Sequence, residues 1–141
     1  MKSRKGFTLI ELMVVVLIVA VLAALVVPLL LSRFEMARYS EGKAIASQIA
    51  TAVRTYAVES ETTPLAAPDL QTNLGFKSNE LDAKWFLQTG MSVSGVLVNT
   101  TTGAMNYTIT LIPADLTKLT KGNVILVCTA NNSVFTSPVG L

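Results

Sequence analysis

Apolar residues are concentrated at the N-terminal end of this chain. Of the 25 residues from 7 to 31, 22 are apolar, and the exceptions are Thr8, Glu11 and Pro28. Leu12 to Leu31 is an uncharged run of twenty residues, about the length that a helix needs to cross ~30 Å of hydrocarbon. The pattern therefore predicts a membrane-spanning helix over residues 7–31, with a soluble body after it.

Helical spacing continues beyond this run as far as Glu59. Phe34 and Ala37 come first, and a further group of apolar residues then recurs at the intervals of one helical face. That group is Ile45, Ile49, Ala52, Val53 and Tyr56. We therefore expect one helix from Phe7 to Glu59, about 80 Å long, in which residues 32–59 are an amphipathic continuation packed on the body.

Polar residues and a proline add detail to this helix. Glu35, Arg38 and Glu41 are three residues apart, so we expect them to pair on the solvent side. Pro28 removes a backbone hydrogen bond and clashes with a preceding carbonyl, which predicts a kink. The alternative is a helix boundary at Pro28, although the apolar pattern continues past it.

Residues 60–141 are predicted to form a loop and then a sheet. Prolines and threonines between Ser60 and Pro68 break the helix, and the segment up to Lys84 is expected to be irregular. Alternating apolar and polar residues then predict four strands: 91–98, 104–112, 123–129 and 133–137. The expected fold class is α+β, a long N-terminal helix packed on an antiparallel sheet of about four strands.

The composition excludes several classes of function but says less about the fold. The chain is 51% hydrophobic and 14% charged, with net charge +2, one cysteine and no histidine. These residues cannot provide Ser-His-Asp or Cys-His catalysis, a Cys/His zinc cluster or an internal disulfide. A charge of +2 is too small for a nucleic-acid interface. We therefore expect no enzyme activity, no cofactor and no specific nucleic-acid site.

The predicted sheet region is nearly free of charge. Residues 85–114 contain no Asp, Glu, Lys or Arg, so Thr, Asn and Ser must supply its polar surface. This composition suits a surface that packs against identical neighbours or is glycosylated, and it equally suits an ordinary exposed face rich in threonine. Glu80, Asp82 and Asp115 are too few and too scattered to predict a calcium site.

Basic residues before the apolar run orient the predicted span. Lys2, Arg4 and Lys5 precede it, which favours a cytoplasmic N-terminus with the body on the other side of the membrane. A cleaved secretory signal is the alternative, but its apolar region is typically ~7–15 residues long. Here the apolar run is longer, and Glu11 interrupts its start.

The junction between the basic residues and the apolar run has the sequence Lys5-Gly6-Phe7-Thr8-Leu9-Ile10-Glu11. It resembles the processing site of type IV pilins and the related pseudopilins, over roughly the first 28 residues. The resemblance implies that prepilin peptidase removes residues 1–6 as a leader by cutting between Gly6 and Phe7. It also implies N-methylation of Phe7. The predicted helix and sheet match the ladle-shaped fold of pilins, although the motif itself does not cover the sheet. Members of the family often carry proline at the position of Pro28.

Glu11 is the second residue whose role the resemblance defines. A carboxylate in the bilayer costs about 2.5–3.5 kcal/mol on insertion scales and usually has a partner. After cutting, the nearby cation is the amino group of Phe7, one helical turn away. In the family, the carboxylate pairs with the amine of a neighbouring subunit during assembly. Without that context, Glu11 would be expected to lie at the headgroup interface.

The resulting prediction is a structural subunit of a type IV pilus-like filament, with the major pseudopilin of a type II secretion system as the alternative. The pilin is ranked first because two features of such pseudopilins are not found in the sequence: a calcium site and the Asp-Pro-Trp-Gly element, since Lys84 precedes Trp85 here. Cys128 excludes the internal disulfide of many pilins and is expected to be buried. A tethered enzyme is a third, disfavoured possibility.

The partners that this prediction implies are identical subunits, prepilin peptidase and the pilus or secretion assembly machinery. The precursor is expected in the inner membrane, and the assembled filament is expected to be extracellular or periplasmic. Removal of three leader cations leaves eight cationic side chains against nine acidic ones, so the mature protein would be slightly acidic.

Overall fold

The computed structural model describes residues 6–60, 67–99, 101–130 and 132–137. It contains helix α1 (Leu9–Glu59) and four strands: β1 (Phe86–Val98), β2 (Met105–Pro113), β3 (Val124–Thr129) and β4 (Asn132–Ser137). Residues 1–5 of the predicted leader lie outside the described residues, and so do residues 61–66 of the predicted loop. The chain divides into two compact units, Met1–Phe34 and Glu35–Leu141, which are described separately.

The first unit is the N-terminal part of α1. The helix begins at Leu9, two residues later than predicted, because Thr8 acts as its N-cap and takes up non-helical backbone. The side chains of residues 9–31 are exposed throughout. The helix is long and apolar enough to cross a membrane by length and composition.

The second unit combines the rest of α1 with the sheet, which is a four-stranded antiparallel meander in the order β1-β2-β3-β4. The predicted α+β class and antiparallel sheet are therefore confirmed. β1 begins at Phe86, five residues before its predicted start at Met91. Pairing with β2 is irregular between Phe86 and Met91, which explains why simple alternation missed the beginning of this strand.

The buried face of α1 differs in part from the predicted stripe. Ile45, Ile49 and Val53 are fully or nearly fully buried, as expected. Phe34 and Ala37, in contrast, are exposed, and the buried face begins only at Tyr39. Its other members are Gly42, Ala46, Ala50 and Ala57. Small residues were overlooked because periodicity is most visible in large apolar side chains.

Gly42 lies where α1 approaches the sheet most closely. A Cβ atom at this position would lie 2.7 Å from the ring of Phe86 and 3.0 Å from Cγ2 of Val124. Phe86 and Val124 are fully buried, and the ring of Tyr39 lies 6.4 Å from that of Phe86. The glycine therefore permits close packing of the helix on the sheet.

The charged residues of α1 bind the body instead of pairing with one another. Glu35 accepts hydrogen bonds from the backbone and hydroxyl of Thr120, at 2.9 and 3.0 Å. Arg38 donates to the carbonyl of Lys118 and lies 4.4 Å from the ring centre of Trp85. The predicted i,i+3 pairing was wrong, because these distant groups offer the charged side chains better-defined partners.

Glu41 and Tyr39 complete the attachment of α1 to the body. Glu41 accepts a hydrogen bond from the backbone of Lys84 at 3.2 Å. Tyr39 donates to the carbonyl of Gly122 at 3.0 Å. Burial, followed by the nearby negative charge of Glu35, raises the pKa of Tyr39, so its hydroxyl stays protonated and remains a donor.

Candidate processing and assembly site

Thr8 and Glu11 form a reciprocal cap at the start of α1. The backbone N–H of Thr8 donates to Oε2 of Glu11 at 2.9 Å, and the Thr8 hydroxyl donates to the same oxygen at 2.8 Å. The N–H of Glu11 in turn approaches the Thr8 hydroxyl oxygen at 3.3 Å. This is a capping box, in which the first and fourth residues satisfy each other's free backbone donors.

Thr8 therefore caps the helix and holds the Glu11 carboxylate, a role that was not predicted from the sequence. The signal was available, since threonine followed three residues later by glutamate, just before an apolar run, marks a helix start. The partner assigned to the Glu11 carboxylate was the amino group of Phe7. That pairing requires the cut after Gly6 and a neighbouring subunit and stays a prediction; in the single uncut chain, the carboxylate accepts hydrogen bonds from Thr8.

Gly6 and Phe7 lie just ahead of the helix. Both are exposed and have non-helical backbone, and Phe7 retains 81% of its accessible surface. Among the described residues, a Cβ atom at Gly6 would meet no atom within 4 Å, so packing against that part of the chain does not explain the glycine. Phe7 and Glu11 line one shallow groove together with apolar residues of the first helical turns.

Pro28 lies inside α1, and the helix continues on both sides of it. The helix boundary considered as an alternative for this position is therefore not observed. Pro28 lies 17 residues after Glu11, so the structure does not bring it together with the other predicted site residues.

The acidic residues of the body are held in local hydrogen bonds. Glu80 accepts from the N–H of Lys77 at 2.7 Å, and Asp82 accepts from the N–H of Gln88 at 2.7 Å. Asp115 accepts from the hydroxyl and the N–H of Thr117, which lowers its pKa. Within the described ranges, no group of three or more His, Cys, Asp or Glu residues is placed to hold a metal.

Cys128 lies on β3 in the core of the body. It is 1% exposed, which confirms the predicted burial of this thiol. The nearby Tyr107 hydroxyl is also buried, and this burial, followed by the effect of Cys128, raises the pKa of Tyr107. The thiol is therefore part of the sheet's packed face.

Comparison with known proteins identifies the N-terminal motif and a relative. A family profile described as "Prokaryotic N-terminal methylation motif" matches residues 1–27. Type II secretion system core protein G of Pseudomonas aeruginosa is 41% identical over 73 residues. That match covers 52% of this chain, and the chain spans about half (49%) of the relative's length. No solved structure shows a match.

A methylation motif on a long apolar helix, joined to a four-stranded antiparallel sheet, is the combination expected of a pilin-type protein. The relative adds sequence similarity that extends well beyond the 27 residues of the motif. Together, these findings support the resemblance to type IV pilins and type II secretion pseudopilins.

Proposed function

We propose that this chain is a pseudopilin of a type II secretion system that polymerises through its N-terminal helix. The observation that carries this choice is the 41% identity over 73 residues to a type II secretion system core protein. The sequence pattern alone ranked the type IV pilus subunit first. The comparison favours the secretion alternative, because a match of this length cannot come from the shared motif alone.

Processing begins on the precursor in the inner membrane, with residues 1–6 in the cytoplasm. Prepilin peptidase cuts between Gly6 and Phe7 and methylates the new amino group of Phe7. The exposed, non-helical backbone at these two residues suits a protease, which binds its substrate in an extended form. A Cβ atom at position 6 meets no atom of the described residues within 4 Å, so we expect a substitution there to act on recognition by the peptidase and to leave the fold unchanged.

Assembly uses the charge of Glu11 after this cut. In the single subunit, the carboxylate is satisfied by Thr8 at 2.8 and 2.9 Å, which reduces the cost of keeping it near the bilayer. A neighbouring subunit then offers the amino group of its own Phe7. The carboxylate exchanges hydrogen bonds to one threonine for an ion pair between subunits, and this pairing sets the register of the growing filament.

The charge can be tested apart from the cap by changing Glu11→Gln. Glutamine keeps a side-chain oxygen that accepts from Thr8 and removes only the negative charge. We expect the variant to be processed normally and to enter filaments poorly when it is expressed beside the wild type. Incorporation is measured by quantitative mass spectrometry of purified filaments.

Glu59→Gln is the matched control, because Glu59 is an exposed carboxylate at the other end of α1. It should be incorporated like the wild type. Equal incorporation of Glu11→Gln and Glu59→Gln would refute the pairing account.

Deletion of the gene distinguishes a secretion pseudopilin from a type IV pilus subunit. A pseudopilin is required for export, so the deletion should retain secreted proteins inside the cell while surface pili remain. Expression of this chain from a plasmid should restore export. Loss of surface pili with normal export would instead identify a type IV pilus subunit.

A further inference from the structure

Basic side chains of the body gather beside the part of α1 that follows the predicted membrane span. Arg38 donates to the carbonyl of Lys118 at 3.1 Å and lies 4.4 Å from the ring centre of Trp85. The Nζ atom of Lys84 lies 5.4 Å from the same ring centre. Trp85 itself is half-buried. Cations around a partly exposed tryptophan are typical of surfaces at the boundary between membrane and water.

The turn that begins at Asp115 adds an exposed apolar side chain to these cations. Leu116 is 60% exposed, and both Lys118 and Lys121, which follow it, are exposed as well. The N–H groups of Lys118 and Leu119 donate to the carbonyl of Asp115 at 3.3 and 3.2 Å. Leu119 is fully buried in the core. The turn is therefore fixed to the body, and it holds a leucine and two lysines at the surface.

The acidic side chains of the same region are bound within the chain. Glu35 and Asp115 are both half-buried, and they accept hydrogen bonds from Thr120 and Thr117, respectively. Glu41 is half-buried too and accepts from a backbone N–H. Among the side chains named here, the fully exposed charges are therefore the positive ones of the lysines. Such a surface suits an anionic partner, because exposed charges act over a Debye length of ~10 Å.

The length of the chain keeps this surface close to the bilayer. Glu35 follows Leu31, the last residue of the predicted span, by four residues. Four residues reach at most about 14 Å even when fully extended. The headgroup layer itself adds ~5–8 Å on each side of the hydrocarbon. Because Glu35 is bonded to Thr120 at 2.9 Å, the turn stays near the headgroups whatever direction the body takes, which favours lipid over an acidic protein as the partner.

We propose that this surface docks on anionic phospholipid headgroups of the membrane in which the unassembled subunit is anchored. Lys84, Lys118 and Lys121 bind the lipid phosphates, and Leu116 enters the boundary between headgroups and acyl chains. The inference rests on the proposed insertion of residues 7–31 in the membrane and holds for either kind of filament. The contact is lost when a subunit leaves the bilayer, so it stabilises the membrane pool over the assembled form.

The test is electron paramagnetic resonance of the full chain in lipid nanodiscs. The discs are made of phosphatidylcholine alone, or of phosphatidylcholine and phosphatidylglycerol at about 3:1. A nitroxide label is attached at Leu116→Cys in a Cys128→Ala background, and its accessibility to a water-soluble nickel reagent is measured. We expect phosphatidylglycerol to shield this label from the reagent. Equal shielding in the two lipids would overturn the assignment of anionic headgroups.

Two further labels separate docking from membrane insertion. Val58→Cys is at an exposed apolar position near the C-terminal end of α1 and should stay accessible to the nickel reagent. Val19→Cys lies in the predicted span and should be shielded in both lipids. A label at Leu116→Cys that is as accessible as Val58→Cys, with Val19→Cys shielded, would refute docking and leave insertion standing. That is also the result expected if the surface binds an acidic protein. Exposure of Val19→Cys would refute both.

The charge is tested by Lys118→Gln in the chain that carries the Leu116→Cys label. One lysine near an anionic surface changes the ratio of docked to free body by about fivefold. The variant should therefore lose shielding in the phosphatidylglycerol discs by about that factor. Lys77→Gln is the matched control, because it removes an exposed lysine of the body that makes none of the contacts with α1 described above. Equal shielding in the two variants would overturn the role of the lysines.

Discussion

Substitution of Gly42 by alanine tests the close packing of α1 on the sheet. Helix propensity alone predicts that Gly42→Ala stabilises the protein by about 1 kcal/mol. The new Cβ, however, would lie 2.7 Å from the ring of Phe86 and 3.0 Å from Val124. Both neighbours are fully buried, and overpacking of a dense core costs about 1–3 kcal/mol. The two effects oppose each other, and we expect a net destabilisation of about 1 kcal/mol.

The assay is thermal unfolding of the full chain in detergent micelles, followed by the fluorescence of Trp85, the single tryptophan. For a body of this size, about 1 kcal/mol corresponds to a fall in Tm of about 4–8 °C. Ala44→Gly measures the propensity effect at an exposed position of the same helix. It should lower stability by about 1 kcal/mol through propensity alone.

A double variant isolates the contact itself. Phe86→Leu withdraws the ring, so Gly42→Ala combined with Phe86→Leu should cost less than the sum of the two single changes. Coupling between residues in contact is about 0.5–3 kcal/mol. A Tm of Gly42→Ala at or above that of the wild type, together with additive effects, would refute the packing argument.

Three further outcomes follow from the described contacts. Thr8→Val keeps the side-chain shape and removes the capping hydroxyl. The first turn of α1 should therefore be less stable by about 1 kcal/mol, and the amide of Glu11 should exchange faster than in the wild type. The pKa of Asp69 is lower in the folded protein than in the unfolded chain, where it is ~3.9. The turn that Asp69 caps should therefore be fully stable above the unfolded pKa. It should open as the pH falls through the lower pKa of the folded protein. Protection of the Thr72 amide reports this loss, and Asp69→Asn should remove its pH dependence. Native Cys128, being 1% exposed, should react with an alkylating reagent only after unfolding; rapid labelling of the folded protein would contradict its burial.

The sequence predicted the main elements because they depend on local patterns. The twenty-residue uncharged run is visible in the sequence without tertiary information. The alternation of apolar and polar residues on β2 is visible as well, and its apolar residues Tyr107, Ile109 and Leu111 are all buried on one face. The N-terminal motif is local as well, and the family profile matches it. Even the capping box of Thr8 and Glu11 is a four-residue signal that could have been read in advance.

Features that arise from distant parts of the chain were not predictable in this way. Gly42 has the appearance of a weak point in a helix, and only the position of Phe86 explains it. Glu35 has the spacing of a solvent-side pair with Arg38, yet its partner is Thr120, 85 residues later in the chain. Gln88 reads as an ordinary polar residue of a strand, yet it is buried, and its side chain accepts a hydrogen bond from the N–H of Leu81 in the preceding turn.

The central claim is that the working protein is a processed, methylated subunit whose chain begins at Phe7. Intact-mass and N-terminal peptide mass spectrometry of purified filaments tests it most directly. The account predicts a chain that starts at Phe7 and carries one methyl group on its amino nitrogen, and a precursor that retains residues 1–6 when Gly6→Val is introduced. A filament subunit that starts at Met1, or a cut at any other bond, would contradict the claim.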